Sequence, residues 1–233
     1  MPGWRALPLP KGVEYPDVAP MFFQYIAVEG VIGVGKSVVV EKLAERLDAA
    51  TMQEEWSTNP FLKTFYEGAA GAAFQTELFF LLSRYRQQQE LQQRSLFKHV
   101  TLSDYVFDKS KLFAYLNLDD SELLIYEKLY TLLAEGIPRP DLVVYLQAPT
   151  EVLMKRIRSR GRPEEASMSQ EYLAEVNRAY NHYFFHYTLT PLLVVNTSEM
   201  DFVKRPEDVD DLLKQIRSMG KGTQYYVPLG GKG

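Results

Sequence analysis

The stretch AVEGVIGVGKSVVVEKL, residues 27–43, opens apolar, turns glycine-rich and then runs into a helical pattern. It holds Gly30, Gly33, Gly35, Lys36 and Ser37 in the spacing G-x-x-x-x-G-K-S, with Val31, Ile32 and Val34 filling the variable places. The preceding FFQYIAVE is rich in β-branched and aromatic residues and reads as a buried strand. Behind the loop, Val39, Leu43 and Leu47 recur at helical spacing. Strand, loop and helix start together make a phosphate cradle. Glycines let the backbone turn tightly with its N–H groups aimed inward, and the helix dipole favours an anion. Lys36 then reaches the β/γ-phosphates and the Ser37 hydroxyl ligates Mg²⁺. The ligand expected is a nucleoside triphosphate; the loop does not fix what receives a phosphate from it.

Working outward, 233 residues suit one medium-sized α/β domain. The formal charge of −4 provides no basic surplus for binding a nucleic-acid polymer. The absence of cysteine excludes disulfide scaffolds and cysteine-based metal or catalytic sites, and fits a reducing cytoplasm. Apolar runs such as LFFLL, 78–82, are too short to span a bilayer, so no membrane partner is expected. Five of the thirteen prolines fall in residues 1–20, which read as an extended arm. Residues 21–218 read as the domain and the glycine-rich 219–233 as an irregular tail.

Strand patterns at 22–29, 50–55, 99–104, 140–149 and 192–198 alternate with helical ones. The helices are expected near 36–48, 59–67, 74–94, 108–116, 119–135, 150–160, 169–186 and 206–218. This order predicts an α/β fold of the P-loop NTPase type: a parallel sheet of about five strands, helices on both faces and an arginine-bearing lid. Ligands bind such sheets at the carboxyl ends of the strands.

Glu54 and Glu55 follow the second strand, and neighbouring strand side chains point to opposite faces, so only one can face the cleft. Asp104 ends the third strand, placed to help hold Mg²⁺ beside the phosphate loop. Glu77 and Arg84, seven apart, share one helix face across an apolar stripe. They would serve equally as readers of a nucleobase or as a structural ion pair. Arg156, Arg160 and Arg162 cluster at the end of a basic helix, where a mobile lid could clamp a transferring phosphoryl group. Basic residues also favour helix C-termini without any function. His182 and His186, four apart, are read as packing in an aromatic helix rather than binding zinc, since no third ligand is evident. The run RQQQELQQR, 86–94, is read as a solvated helix face.

The motifs GVIGVGKS, EEWSTNPFLKTFYEG, FQTELFFLLSRYRQ, SDYVFDKSKLFA and RIRSRGRPEE, in this order across about residues 24–205, resemble those of the deoxynucleoside kinases, specifically the bacterial deoxyadenosine and deoxyguanosine kinase branch. The resemblance implies transfer of the γ-phosphoryl group of ATP to the 5′-hydroxyl of a deoxynucleoside, with Mg²⁺, by a cytoplasmic homodimer. It implies Glu54 as general base and Tyr66, with Glu164 or Glu165, as the partner of the sugar 3′-hydroxyl. Arg156, Arg160 and Arg162 match the lid, Arg84 an arginine near the base and the 5′ end, and Asp104 an acid that places Mg²⁺. Two departures follow. Tyr105 stands where an arginine is common, which leaves Lys109 as the candidate replacement cation. Glu77 stands where many members carry glutamine, with Gln75 the alternative reader if the register differs. A carboxylate only accepts hydrogen bonds, which suits the N1–H and N2–H₂ donors of guanine and favours a purine. Two other readings stay open: a nucleoside monophosphate kinase of the thymidylate kinase type, and a nucleotide-binding regulator without turnover.

Overall fold

The computed structural model describes residues 23–94 and 100–228. The predicted arm at 1–20, residue 22 of the first strand, residue 99 of the third strand and the last five residues of the tail lie outside them. The domain is built on β1 (Tyr25–Gly30), with every residue buried. This continuous burial, in place of alternation, follows from helices covering both faces of a parallel sheet. On one side β1 pairs with β3 (Thr101–Ser103), which pairs in turn with β2 (Ala50–Met52). On the other it pairs with β4 (Leu142–Gln147), followed by β5 (Leu192–Asn196) and β6 (Thr223–Tyr226). The order β2-β3-β1-β4-β5-β6 is parallel throughout. The chain's first crossover runs from β1 past β3 to β2, so the connections diverge beside β1, where such sheets form their ligand crevice.

The helices are α1 (Lys36–Leu47), α2 (Leu62–Tyr66), α3 (Ala72–Arg94), α4 (Lys109–Asn117), α5 (Asp120–Ala134), α6 (Thr150–Arg160), α7 (Gln170–Phe185) and α8 (Pro206–Ser218). Helix α5 starts at a capping box, in which the Asp119 carboxylate accepts from Ser121 and Glu122 N–H groups while Glu122 accepts from Asp119 N–H. Helix α6 stops at Gly161, whose left-handed φ of 65° lets the chain leave for the lid. The core joins Ile26 and Val28 of β1 with Val144, Leu193, Leu153 and Val176. Tyr145 of β4 stacks on Phe184 of α7 with ring centroids 4.2 Å apart.

Four expectations need correction. The sheet has six strands, and the sixth lies within the tail predicted to be irregular. Its sequence, TQYY, is mostly exposed and shows no burial pattern; backbone pairing with β5 defines it. The helix expected at 59–67 is shortened to α2, behind a 3₁₀ turn at Trp56–Thr58, and Pro60 cannot donate within a helix. The glutamine run is not all solvated: Gln88 is fully buried and its amide donates to Tyr25 Oη at 3.0 Å. His182 and His186 are exposed at the end of α7, not packed inside it. Among the described residues no helix is long and apolar enough to cross a membrane.

Candidate active site

A cleft opens at the carboxyl ends of the strands. Its floor is the glycine-rich loop. Gly30 has a φ of 151°, and a Cβ there would sit 2.5 Å from the Leu146 carbonyl oxygen. Gly33 has a φ of 86°, and a Cβ there would sit 2.9 Å from Leu153 O and 2.7 Å from an Ile157 side-chain carbon. Only glycine fits where α6 and β4 press this closely against the loop. Val31 and Val34 are buried in the core, while Ile32, Gly33, Gly35, Lys36 and Ser37 line the cleft. Lys36 Nζ donates to Gly30 O at 2.6 Å. Burial, then the nearby Lys109 charge, lowers the Lys36 pKa to about 8, against the pull of Glu29, Asp104 and Glu54.

From this loop a continuous chain of polar contacts crosses the cleft. Ser37 Oγ donates to Asp104 Oδ2 at 2.7 Å, and Asp104 Oδ1 accepts from the Glu54 N–H at 2.7 Å. The chain therefore leaves β2 at Met52 and folds Glu54 inward, while Glu55 is exposed. Arg84 donates to Glu54 Oε1 through Nε at 2.8 Å and Nη2 at 2.6 Å. Lys109 Nζ donates to Glu54 Oε2 at 2.9 Å. Burial would raise the Glu54 pKa, but the charges and hydrogen bonds of Lys109 and Arg84 outweigh it and hold the carboxyl well below its ordinary range. Arg84 is itself buried; its Nη1 donates to Ser110 Oγ at 2.8 Å, and its guanidinium lies 5.1 Å from the Phe80 ring centroid.

Beneath the loop, Glu29 is fully buried. It accepts from Gly30 N–H at 2.8 Å and Val106 N–H at 3.1 Å, tying the start of the phosphate loop to the segment that leads into Lys109. Burial raises its pKa, with Lys109 and Lys36 opposing.

At the far end of the cleft, Glu77 is 2% exposed. Asn117 Nδ2 donates to its Oε1 at 2.8 Å, and its Oε2 is buried with no hydrogen-bond partner. Burial pushes the Glu77 pKa up to about 7, with Arg84 opposing. Tyr66, Leu62, Phe80 and Phe113 provide the surrounding wall. Gln75, the alternative reader, is exposed and absent from this wall, because two residues turn a helical side chain to another face.

Over the opening sits the segment after α6. Arg160 Nη2 donates to both oxygens of Glu165, at 2.7 and 2.6 Å, and Arg162 lies 3.6 Å from Glu165. The Arg162 guanidinium also stacks 3.7 Å from the Trp56 ring centroid. Glu165 lines the cleft with Arg160 and Arg162; Glu164 does not. Arg156 is not brought to the cleft. It donates to Thr197 Oγ1 at 3.1 Å, Thr197 O at 2.7 Å and Val34 O at 3.3 Å, bracing the outside of the phosphate loop. Tyr105 is fully buried and donates to Gln87 Oε1 at 2.8 Å, so its side chain turns away from the phosphate loop.

Several contributors were missed or given another contact in the sequence reading. Glu29 left one signal, a charge at the end of an otherwise apolar strand. Lys109 was considered for the phosphates, yet its contact is with Glu54. Trp56, Asn117 and Tyr172 left no signal that periodicity could have caught.

Comparison with known proteins identifies the family and agrees with the fold. A family model described as deoxynucleoside kinase matches residues 26–220. The deoxyguanosine kinase of Bacillus subtilis (strain 168) is 30% identical over 201 residues, covering 84% of this chain and 97% of that protein. The deoxyadenosine kinase of Dictyostelium discoideum is 33% identical over 214 residues, covering 90% of this chain and 86% of that protein. The solved structure of deoxyadenosine kinase from M. mycoides with bound dATP covers 84% of this chain, with a TM-score of 0.72 and 22% sequence identity.

Proposed function

The chain belongs to the deoxynucleoside kinase family, and from that premise we propose that it transfers the γ-phosphoryl group of ATP to the 5′-hydroxyl of a purine deoxynucleoside, deoxyguanosine or deoxyadenosine, for nucleotide salvage. The observation that carries this reading is the contact chain Ser37–Asp104–Glu54–Arg84, which runs from the phosphate loop to the acceptor half of one cleft.

The phosphate loop and Lys36 bind the donor's β- and γ-phosphates. Ser37 and Asp104 offer a hydroxyl and a carboxylate 2.7 Å apart, a hard oxygen pair that fits Mg²⁺, which commonly takes one or two protein ligands beside phosphates and water. When bound, the ion offsets phosphate charge. Glu54 holds the 5′-hydroxyl in line with the γ-phosphorus and takes its proton. Arg84 and Lys109 fix the carboxylate, which suits a loose transition state where proton transfer asks little of base strength. Tyr66, with Glu165, holds the 3′-hydroxyl. Arg160 and Arg162 meet the charge that develops on the transferring group, and their closure excludes water as a competing acceptor. Arg156 contributes by bracing the loop.

At the 5′ end both cations are engaged by Glu54, which favours a neutral hydroxyl over a nucleotide phosphate as acceptor. A chain without cysteine fits work in the cytoplasm. Exposed Leu124, Ile125 and Leu132 on α5 offer an apolar face for a homodimer. The test is ATP consumption with Mg²⁺ against each of the four deoxynucleosides, dTMP and dGMP, with products separated by chromatography. dGMP or dAMP formed from its nucleoside supports the reading. Phosphorylation of the monophosphates alone would overturn it.

A further inference from the structure

At the base end of the cleft Glu77 Oε2 on α3 is buried without a hydrogen-bond partner, and the Tyr172 hydroxyl on α7 is buried with only the Asn117 side chain to bond. Unpaired polar atoms in an apolar pocket are costly, so they point to a ligand that completes them. Asn117 lies beside both groups and donates to Glu77 Oε1, which leaves Oε2 as the unpaired oxygen that can carry a proton. We propose that Glu77 and Tyr172 together read the Watson–Crick edge of the purine, and that Glu77 chooses guanine when it acts as an acceptor and adenine when it acts as a donor. This rests on the purine deoxynucleoside kinase reading above.

The chemistry is complementary in both states. Guanine presents O6 as acceptor, then N1–H and N2–H₂ as donors. The Tyr172 hydroxyl serves O6, and the ionised carboxylate takes the two donors. Adenine presents an amino donor and the N1 lone pair. Against an ionised carboxylate, that lone pair would meet another lone pair. With a proton on Oε2, Glu77 donates to adenine N1, and Tyr172 accepts from the amino group.

The surroundings keep both states within reach. Around Glu77 stand Arg84 on its own helix, Asn117 and Lys109 of α4, Tyr126 of α5, Tyr172 of α7, Tyr66 of α2 and Glu54 beyond β2. The cations favour the ionised form. Burial and Glu54 favour the protonated one, and the balance falls at about 7.

The test is the ratio of kcat/KM for deoxyguanosine to that for deoxyadenosine between about pH 5.5 and 8.5. Groups that serve both substrates, Glu54 included, cancel in the ratio. One exchanged proton predicts a ratio that rises with pH by up to about tenfold per unit. Deoxyinosine, with N1–H and O6 but no amino group, is expected to follow deoxyguanosine. Glu77→Gln, which is isosteric and both donates and accepts at every pH, is expected to flatten the ratio and shift it toward deoxyadenosine. Tyr172→Phe is expected to lower kcat/KM for deoxyguanosine and deoxyinosine while keeping the pH slope of the ratio. A pH-independent ratio in the unaltered enzyme, or an unchanged slope in Glu77→Gln, overturns the inference while the kinase reading stands. Failure to phosphorylate any purine deoxynucleoside overturns both.

Discussion

Glu54 spends both carboxylate oxygens on buried cations: Oε1 on Arg84 at 2.6 Å and Oε2 on Lys109 at 2.9 Å. The group assigned to take the acceptor's proton is thus held rigid and strongly ionised before substrate arrives. Glu54→Gln should cut turnover by roughly two or more orders of magnitude and leave ATP affinity near that of the unaltered enzyme. Steady-state kinetics beside ATP titration would check this, and undiminished turnover would remove Glu54 from the role.

The same pair of contacts predicts an acid limb in stability. The folded Glu54 pKa lies below the ordinary value of 4.5, so its contribution is present above that pH and is lost as pH falls through the folded value. Thermal melts below about pH 4.5 should therefore drop less steeply in Glu54→Gln than in the parent protein.

Glu77 has the opposite sign. Its folded pKa of about 7 lies above the ordinary 4.5, so the unfolded chain releases its proton first as pH rises. Its cost to stability is absent below 4.5 and grows until about 7. Without ligand, Glu77→Gln should raise stability near pH 8 by on the order of 3 kcal/mol and change it little near pH 4. Paired denaturation curves at the two pH values would show it. Equal effects at both would contradict the buried-carboxyl account.

Gly33→Ala should disable nucleotide binding. Its Cβ would meet Leu153 O at 2.9 Å in a backbone conformation that L side chains rarely adopt. The strain is of order 1–3 kcal/mol, and the loop must shift to relieve it. At least about tenfold weaker ATP binding is expected by calorimetry.

The stacking of Arg162 on Trp56 gives the lid an optical readout. Trp56 is one of only two tryptophans, so Trp4→Phe leaves a single reporter. Its emission should change when nucleotide moves the lid, and Arg162→Ala should abolish that change while weakening closure by about 0.5–2 kcal/mol. An emission that stays constant on ATP binding would separate Trp56 from the lid.

How far the sequence revealed this molecule depended on whether a feature was local. The phosphate loop and five of the strands were legible because their glycines and apolar runs report on the immediate backbone. Glu54 and Asp104 were legible as strand-end acids. Their 2.7 Å backbone contact was not, because it joins residues fifty positions apart. Arg156 and Arg160 share a helix face in sequence, yet one braces the loop from outside while the other reaches the cleft, a division set by Thr197 and Glu165. Tyr105 looked like a lost cation and is instead a buried partner of Gln87.

The sixth strand bears on how the chain can be handled. β6 covers the open side of β5, whose Leu192–Val195 are buried and strongly apolar. Clipping the chain before Thr223 would bare a flat row of unpaired amides and carbonyls along those residues, a template for sheet growth between molecules. A carboxyl-terminal truncation should therefore show itself as turbidity and lost solubility rather than as altered catalysis, and a carboxyl-terminal tag is safest on a spacer that leaves Thr223–Tyr226 free to pair.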